Sequence, residues 1–388
     1  MPITHVNARA VAIPLQRSTR ISTRELSERQ FVLVEVRDTD GAAGIGYSYA
    51  GTVGGLLLVD AVHDVLAPVV LGNDAEDLPG LWRRMYQESL LIGRRGLVLR
   101  AISAVDIALW DLRAKRCQEP LARLLGGSTM QPLAAYASGG YYRPDDGSLT
   151  EAVRAEILAS QELGFRDHKI KVGGASVAED AARVAAAIET IDGQGRLALD
   201  ANNAYQTVAE ALHAVRMFER AAGPTGLWWF EEPLSPDNVS GHAQLAATLE
   251  TPVATGEIHQ TRWEFAQLIE RRAADILQPD VGVVGGISEF LRIAHTAESF
   301  DLLIAPHWHA NLHAHLAAAL PGTLTIEYFA LANDIYNFEA LVTEESRVQI
   351  NDGQIVLSDR PGIGIELDEQ AVSGYAIGAG RPAVQCVR

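Results

Sequence analysis

The sequence predicts an α/β protein, a (β/α) barrel of the TIM type that follows an N-terminal α+β domain. From about residue 130 onward, short apolar strands alternate with alanine-rich helices. Repeated βα units of this length favour a parallel barrel. A polar residue follows each of these strands, at the end of a barrel where catalytic groups gather. An open doubly wound sheet is the alternative, although no glycine-rich phosphate loop follows its first strand.

The N-terminal α+β domain is predicted over residues 1–126. Alternating residues in "ITHVNARAVAIPL" and "FVLVEVRDTDGAAGIGY" predict strands, and "DG" marks a turn within the second segment. The segment "RRGLVLRAISAVDIALWDLRAKRC" has apolar residues at i, i+3 and i+4, which predicts a helix. The glycine pair of "LLGGS" predicts the end of this helical region.

The barrel domain is predicted over residues 127–345 as a series of strand–helix units. Each unit begins with a short apolar segment, and an alanine-rich or amphipathic segment follows it. The units are "HKIKVGG" with helix 176–191, "RLALDANNAY" with 207–221, "GLWWFEEPL" with 239–250, "PVATGEI" with 261–272, "ADILQPDVG" with 286–299, and "LLIAPHWH" with 311–320.

Composition and charge exclude several classes of protein. The chain of 388 residues is 48% hydrophobic and 21% charged, which is ordinary for a globular protein. Its formal net charge of −17 makes it a poor nucleic-acid binder, because phosphate contacts need a basic face. Two cysteines are too few for a disulfide framework. With no signal-peptide pattern and no apolar run of membrane-spanning length, we expect a cytoplasmic protein that does not bind membranes.

Seven polar residues close successive predicted strands of the barrel domain. Their residue numbers differ by 20 to 31 from one to the next, which is about one βα unit. Because the carboxyl ends of barrel strands converge on one mouth, these side chains are predicted to meet there. They are Lys171, Asp200, Glu231, Glu257, Asp280, His307 and Glu327.

Three of these residues predict a metal site. Asp200, Glu231 and Glu257 lie on successive strands and offer hard oxygen ligands. Three carboxylates in one mouth repel each other without a cation, and Mg²⁺ fits this ligand set. Asn202, two residues past Asp200, faces the same way and is a candidate substrate contact. Glu232 faces away from Glu231, so we expect it to be a structural partner and not a ligand.

The other strand-end residues predict acid–base chemistry. Lys169 and Lys171 share one strand face, where repulsion and desolvation are expected to lower their pKa values toward those of neutral bases. Asp280 is predicted to hold one imidazole nitrogen of His307 and leave the other free. Glu327 is a further proton donor or hydrogen-bond partner. A metal with bases on two sides suits proton abstraction beside a carboxylate.

These motifs resemble those of the enolase superfamily, specifically its mandelate racemase subgroup, over nearly the whole chain. The resemblance implies a modified (β/α)7β TIM barrel with an N-terminal α+β capping domain, which residues 346–388 complete. It also implies a Lys or His base paired with Mg²⁺. The Asp280 and His307 pair is the feature that resembles the mandelate racemase subgroup. The matching segments are "AISAVDIALWDLRAK", "PLARLLGG", "KIK", "DANNAY", "WFEEP", "GE", "QPD", the interval from His307 to Glu327, and "RPGIGIELDE".

The resemblance implies a choice among reactions that share one intermediate. We expect Mg²⁺-dependent dehydration of a sugar acid (an aldonate or aldarate) to a 2-keto-3-deoxy acid. We expect Lys171 to exchange the proton with the substrate and Lys169 to adjust the pKa of Lys171. His307 is expected to serve the opposite face of the substrate. Racemisation or epimerisation, and cycloisomerisation of a lactone, are alternatives within the superfamily. The other classes considered are a non-catalytic sugar-acid binding protein and a zinc hydrolase. We also expect a homo-oligomer.

Substrate contacts are predicted from the arginine-rich segment "QRSTRISTRELSERQ". In an acidic protein it suits a lid that captures an anionic substrate, with a solvated loop as the alternative. The run "HWHANLHAH" invites a zinc site, but His313 and His315 are assigned to the following helix. The predicted contacts are Asn202, Arg17, Arg20, Arg24, Tyr47 and His309, with Tyr49 a further member of the lid.

Overall fold

The computed structural model describes residues 1–378 and 380–386. Its capping domain is built on a long antiparallel sheet of β1 (Ile3–Arg20), β2 (Glu25–Asp38) and β3 (Ala43–Gly51). The predicted alternation reflects one buried face, because Val6 lies opposite Val36 and Val11 lies opposite Phe31. The predicted "DG" turn connects β2 to β3.

Helices cover the sheet, as the apolar spacing predicts. The long helix α4 lies directly on β3, where Gly44 and Gly46 allow the two backbones to approach. A Cβ on Gly44 would lie 2.1 Å from the carbonyl oxygen of Ala108, and one on Gly46 would lie 2.2 Å from that of Ala104. The helices are α1 (Gly55–Asp60), a π-helical segment (Ala61–Leu66), α2 (Ala67–Val70), α3 (Leu78–Ser89), α4 (Leu97–Arg116) and α5 (Leu121–Leu124).

The barrel strands run parallel and are hydrogen-bonded in chain order, and the last strand pairs with the first. A further bridge between Ile304 and Thr323 links the seventh strand to the segment that leads into the eighth, so the predicted barrel is confirmed. The strands are β4 (Leu133–Gly139), β5 (His168–Lys171), β6 (Leu197–Asp200), β7 (Phe230–Glu231), β8 (Val253–Thr255), β9 (Ile276–Leu277), β10 (Leu303–Ile304) and β11 (Ile326–Tyr328).

A helix follows each barrel strand except the last in the described part of the chain. Side-chain caps place some of these helices within a residue of the prediction. Ser176 with Glu179, and Thr207 with Glu210, form reciprocal capping boxes. The helices are α6 (Leu149–Glu162), α7 (Val177–Ile191), α8 (Val208–Ala222), α9 (Val239–Thr248), α10 (Thr261–Glu270), α11 (Ile287–Glu298) and α12 (Ala310–Ala319). Among the described residues, no helix combines the length and apolar character that crossing a bilayer requires.

The C-terminal segment divides between the two domains. The hairpin of β12 (Gln349–Asn351) and β13 (Gln354–Val356) pairs with β4 of the barrel. After α13 (Glu369–Tyr375), the short strands β14 (Ala376–Ile377) and β15 (Val384–Gln385) pair with β1 of the cap. The chain therefore returns to the cap only after closing one end of the barrel, whereas the predicted cap included all of residues 346–388. Short 3₁₀ turns occupy Leu331–Asn333, Phe338–Leu341 and Glu344–Ser346, with a further one at Gly223–Thr225.

Buried polar contacts fasten the cap over the barrel. Asp106 of α4 accepts hydrogen bonds from Ser288 N at 2.8 Å and Ser288 Oγ at 2.7 Å. Trp82 Nε1 donates to the carbonyl oxygen of Gly285 at 2.7 Å. These groups hold α3 and α4 against the start of α11 and the loop that precedes it.

His315 of α12 predicts a pH dependence of stability. Its Nδ1 accepts from Ala122 N at 3.3 Å, and its Nε2 donates to the Ile363 carbonyl oxygen at 3.2 Å. Burial lowers the pKa of His315 to about 4, whereas an unfolded histidine titrates near 6.5. The folded protein therefore favours the neutral form of His315, and its contribution to the unfolding free energy is fully present above pH 6.5. That contribution, up to about 3 kcal/mol, is lost as the pH falls toward 4.

We expect His315→Gln to reduce the pH dependence of the unfolding free energy between pH 6.5 and 4, measured by urea denaturation. The variant lacks the titrating group, although it is less stable at pH 7. Circular dichroism at pH 7 checks that it is folded. Wild type and variant that lose stability in parallel on acidification would contradict this prediction.

Candidate active site

Three predicted carboxylates meet at the mouth of the barrel, under the cap. Asp200 ends β6, Glu231 ends β7, and Glu257 lies two residues past β8. One oxygen of each lies within 4.8 Å of the others, and Glu257 Oε2 is buried without a hydrogen-bond partner. Converging hard oxygen donors with an unpartnered carboxylate oxygen fit a divalent cation such as Mg²⁺.

Neighbouring side chains orient two of these carboxylates. Asn202 donates to Asp200 through its backbone N at 2.8 Å and through its side chain at 3.2 Å. Glu231 Oε2 accepts from Trp229 Nε1 at 2.8 Å and from Gln278 Nε2 at 2.7 Å. Sequence reasoning did not assign Trp229 or Gln278. The period of two along a strand could have indicated Trp229, because Trp229 and Glu231 point to the same face.

Glu232 lies on the opposite side of β7, as its position predicts. The carboxylate is fully buried and accepts a hydrogen bond from Gly256 N at 3.1 Å and another from the Thr255 hydroxyl. Its other oxygen accepts from the Asn203 side chain. Glu232 therefore braces the backbone next to Glu257 and does not belong to the metal cluster.

The two lysines of β5 are paired with the carboxylates. Lys169 Nζ lies 2.6 Å from Glu231 Oε1 and 2.7 Å from Glu327 Oε1, and Lys171 Nζ contacts Asp200 Oδ2. Burial disfavours both charges, but the carboxylates outweigh it and raise the pKa of each lysine. The predicted lowering of these pKa values is wrong for this arrangement, because it counted repulsion and desolvation but not the ion pairs.

His307 and Asp280 form the predicted pair. His307 Nδ1 lies 2.9 Å from Asp280 Oδ2, and His307 Nε2 lies 3.5 Å from Glu257 Oε2. Burial opposes protonation, but Glu257 and Asp280 raise the pKa of His307 to about 9. These two carboxylates therefore favour the imidazolium form, in which the proton on Nε2 is directed away from Asp280.

Glu327 is buried and contacts the backbone of Trp308 and the side chain of Lys169. Its Oε2 accepts from Trp308 N at 2.8 Å, and its Oε1 contacts Lys169. Burial opposes ionisation, but Lys169 and His307 lower the pKa of Glu327 to about 2. Of the two predicted possibilities, the geometry favours a hydrogen-bond partner over a proton donor.

A cavity of about 120 Å³ separates the cap from the barrel mouth. Its barrel side contains Lys171, Asn202, Glu257, Asp280 and His307, whereas the other two predicted acid–base residues, Lys169 and Glu327, do not line it. The capping domain contributes Ile21, Arg24, Leu26, Arg29, Tyr49 and Arg100.

Arg24 lines the cavity, but two other arginines of the predicted lid do not. Arg17 pairs at the surface with Asp145 at 3.2 Å and Asp146 at 2.6 Å. Arg20 donates to the carbonyl oxygen of Gly174 at 2.7 Å. Both side chains already satisfy partners of their own, which gives each a structural role at the cap–barrel boundary.

Two other predicted contacts are packed behind the cavity. Tyr47 is buried and stacks on Phe338 with ring centroids 3.7 Å apart. His309 is buried against Tyr336, 3.3 Å from its hydroxyl. Neither lines the cavity, whereas Tyr49, two residues past Tyr47, does. His313 and His315 belong to α12, as predicted, and are buried.

Two further arginines line the cavity: Arg29, one of the four arginines of the predicted lid, and Arg100, which sequence reasoning did not assign. Arg29 is 4% exposed and donates to Tyr49 Oη at 2.7 Å. Arg100 donates from Nη1 to the Tyr49 carbonyl oxygen at 3.0 Å. Arg29 lay within the arginine-rich segment, but Arg100 belongs to a helix whose periodicity does not distinguish a cavity from a solvated face.

The chain matches two family models. Residues 3–126 match the mandelate racemase/muconate lactonizing enzyme N-terminal domain. Residues 152–371 match the enolase C-terminal domain-like family. Together these matches cover most of both predicted domains.

Characterised relatives align along nearly the full chain. L-talarate/galactarate dehydratase of Salmonella typhimurium is 35% identical, over 93% of this chain and 87% of the relative. Arabinonate dehydratase of Saccharolobus solfataricus is 36% identical, over 89% of this chain and 90% of the relative. D-galactarolactone cycloisomerase of Agrobacterium fabrum is 32% identical, over 97% and 99% respectively.

Solved structures show the same architecture. L-talarate dehydratase from a Polaromonas species, complexed with Mg and L-glucarate, superposes with a TM-score of 0.85 at 35% identity over 99% of each chain. A racemase from Streptomyces coelicolor with bound magnesium superposes with a TM-score of 0.88 at 31% identity, over 97% of this chain and 100% of the other.

Proposed function

The chain belongs to the mandelate racemase/muconate lactonizing enzyme family of the enolase superfamily, and from this we propose that it is a Mg²⁺-dependent sugar-acid dehydratase. The observation that carries the proposal is the placement of Lys171 and His307 on one cavity beside the carboxylate cluster. The reaction removes the proton at C2 and the hydroxyl at C3. It leaves an enol that becomes a 2-keto-3-deoxy acid.

Asp200, Glu231 and Glu257 are the residues that hold the cation. When bound, Mg²⁺ supplies positive charge that stabilises the carboxylate as its neighbouring carbon loses a proton. Trp229 and Gln278 keep Glu231 in place, and Asn202 does the same for Asp200.

Lys171 is the base that accepts the C2 proton. A lysine is a base only when neutral, and the Asp200 carboxylate now favours its charged form. A cation that shares Asp200 would weaken that effect and lower the pKa of Lys171. Lys169 touches Glu231 and Glu327 deeper in the barrel, so it keeps its charge and balances theirs.

His307 is the acid. Its imidazolium donates the Nε2 proton to the departing C3 hydroxyl, which leaves as water. Asp280 holds Nδ1, fixes the orientation of the ring and stabilises its charge. The enol that remains then takes up a proton at C3 as the C2 ketone forms.

Racemisation, epimerisation and lactone cycloisomerisation are the second candidates, favoured by the relationship to D-galactarolactone cycloisomerase. All use a base that removes the proton beside a carboxylate. They differ in the fate of the intermediate. In racemisation or epimerisation the intermediate takes up a proton again at the same carbon, and in lactone cycloisomerisation it expels a group that remains part of the same molecule.

Incubation of sugar acids with the enzyme and Mg²⁺ in D₂O separates these reactions. A dehydratase gives a 2-keto product that reacts with semicarbazide. Deuterium at C2 without a keto product means a racemase or epimerase. Isomerisation of a lactone without exchange into recovered substrate favours a cycloisomerase, and either result would reject the dehydratase proposal.

We also propose that the enzyme is a cytoplasmic homo-oligomer. The adjacent side chains of Leu91 and Ile92 are 95% and 60% exposed, and contiguous exposed apolar residues are typical of protein contacts. Light scattering after gel filtration should give a multiple of the chain mass, and Leu91→Glu should reduce it. A wild-type monomer would contradict the proposal.

A further inference from the structure

Three arginines of the capping domain face the cavity without an acidic partner. Arg24, Arg29 and Arg100 all line it, and within residues 1–378 and 380–386 none of them forms an ion pair with a carboxylate. Other arginines do pair, such as Arg17 with Asp146 and Arg262 with Glu289. These three arginines therefore present positive charge to the space where a substrate would lie.

The direct contacts of Arg29 and Arg100 are with neutral groups. Arg29 donates to the carbonyl oxygen of Ile335 at 3.0 Å and lies over the Trp308 ring at 4.9 Å. Arg100 binds the Tyr49 carbonyl oxygen, and burial lowers the pKa of Arg100 although Asp280 and Glu257 of the same cavity oppose that shift. Neutral acceptors and rings orient a guanidinium but do not neutralise it, so each guanidinium can still bind an anion.

The first carboxylate of the substrate belongs at the inner end of the cavity, next to the carbon that loses its proton. Asp200, Glu231 and Glu257 would hold the cation there, beside Lys171 and His307. Arg24, Arg29 and Arg100 line the same cavity from the capping domain, so their charge is available to a second anionic group.

The position of Arg100 also leaves room for a longer molecule. It borders both the active-site cavity and a neighbouring cavity of about 370 Å³. Ile258 borders both as well. A chain that starts at the carboxylate cluster can therefore end beside Arg100.

Building on the proposed function, we propose that the substrate is a dicarboxylic sugar acid whose second carboxylate binds Arg100, with Arg24 and Arg29 adding positive charge around it. An aldarate carries that second anion, whereas an aldonate ends in a neutral hydroxymethyl group. A cavity that presents a guanidinium to a neutral end leaves the charge desolvated and unpaired, so the monoacid is the poorer substrate.

The test compares hexaric acids with hexonic acids of matched configuration: galactarate, glucarate and talarate against galactonate, gluconate and talonate. We expect higher kcat/KM for the diacids. Arg100→Gln should lower kcat/KM for the preferred diacid by about 100-fold, and for its monoacid by less than about threefold. Arg100→Lys should retain part of the preference, because it keeps the charge but not the fork of donors.

Arg95→Gln is the matched control. Arg95 lies on the same segment and borders only the neighbouring cavity, where it pairs with Glu264 at 2.7 Å. Its substitution should leave the diacid-to-monoacid ratio unchanged. Thermal unfolding of each variant checks that the cap is folded.

Thermal stabilisation by each acid in the presence of Mg²⁺ gives a readout independent of turnover. Stronger stabilisation by diacids, lost in Arg100→Gln, supports the second-carboxylate site even if no keto product forms, in which case only the dehydration proposal fails. Equal stabilisation by diacids and monoacids, or equal losses on both substrates in Arg100→Gln, would overturn this inference. Dehydration of monoacids at least as efficient as that of diacids would overturn it too, and would leave the dehydratase proposal standing.

Discussion

Replacing Glu257 by Gln is expected to lower kcat by at least about a thousandfold, equivalent to about 4 kcal/mol of transition-state stabilisation. The amide keeps the shape of the side chain but removes the charge that a hard divalent cation needs. Because Glu257 Oε2 has no hydrogen-bond partner, the substitution should leave the fold intact. Turnover measured against Mg²⁺ concentration, with circular dichroism, tests both statements.

Glu264→Gln is the control for this substitution. Glu264 lies nearby on α10 but pairs with Arg95 and is not part of the carboxylate cluster. Its substitution should leave the Mg²⁺ dependence unchanged. Full activity of the wild-type enzyme in excess chelator would reject the metal site altogether.

Lys171→Ala and His307→Asn should each lower kcat by about 10²- to 10⁴-fold, the range over which a positioned acid or base contributes. Their partial reactions should differ. Lys171→Ala loses exchange of the C2 proton, because the base is gone. His307→Asn keeps C2 exchange in D₂O but loses the keto product, because Lys171 still works while the departing hydroxyl lacks its acid.

Nuclear magnetic resonance of the recovered substrate measures the C2 exchange, and semicarbazide measures the product. Substitution of the exposed His295, which lies beside Glu298, should change neither. Wild-type turnover in either active-site variant would show that the acid–base pair has been assigned to the wrong residues.

The sequence by itself determined the barrel and the residues at its mouth. Parallel strands of a barrel point their carboxyl ends in one direction, so the place of a residue along its own strand sets its place in the mouth. Asp200, Glu231 and Glu257 converge for this reason, although the chain separates them widely. The separation of Glu231 from Glu232 followed from the period of two.

Only the tertiary structure decided what surrounds each of these groups. Lys171 of β5 contacts Asp200 of the neighbouring strand β6. This ion pair raises the pKa of Lys171, whereas the two lysines alone were expected to lower it. No spacing within β5 contains that information, because the balance between desolvation and attraction depends on distances between strands.

Tertiary structure also decided which arginines line the active-site cavity. Arg17 and Arg29 belong to one arginine-rich segment, yet the first pairs with surface carboxylates and the second is buried in the cavity wall. Arg100 reaches the cavity from a helix of the other layer of the cap. The pairing of charges is set by how the cap docks on the barrel, and docking depends on contacts between distant parts of the chain. Local periodicity therefore predicted which polar residues lie at the barrel mouth, whereas packing between the domains selected the arginines that face them.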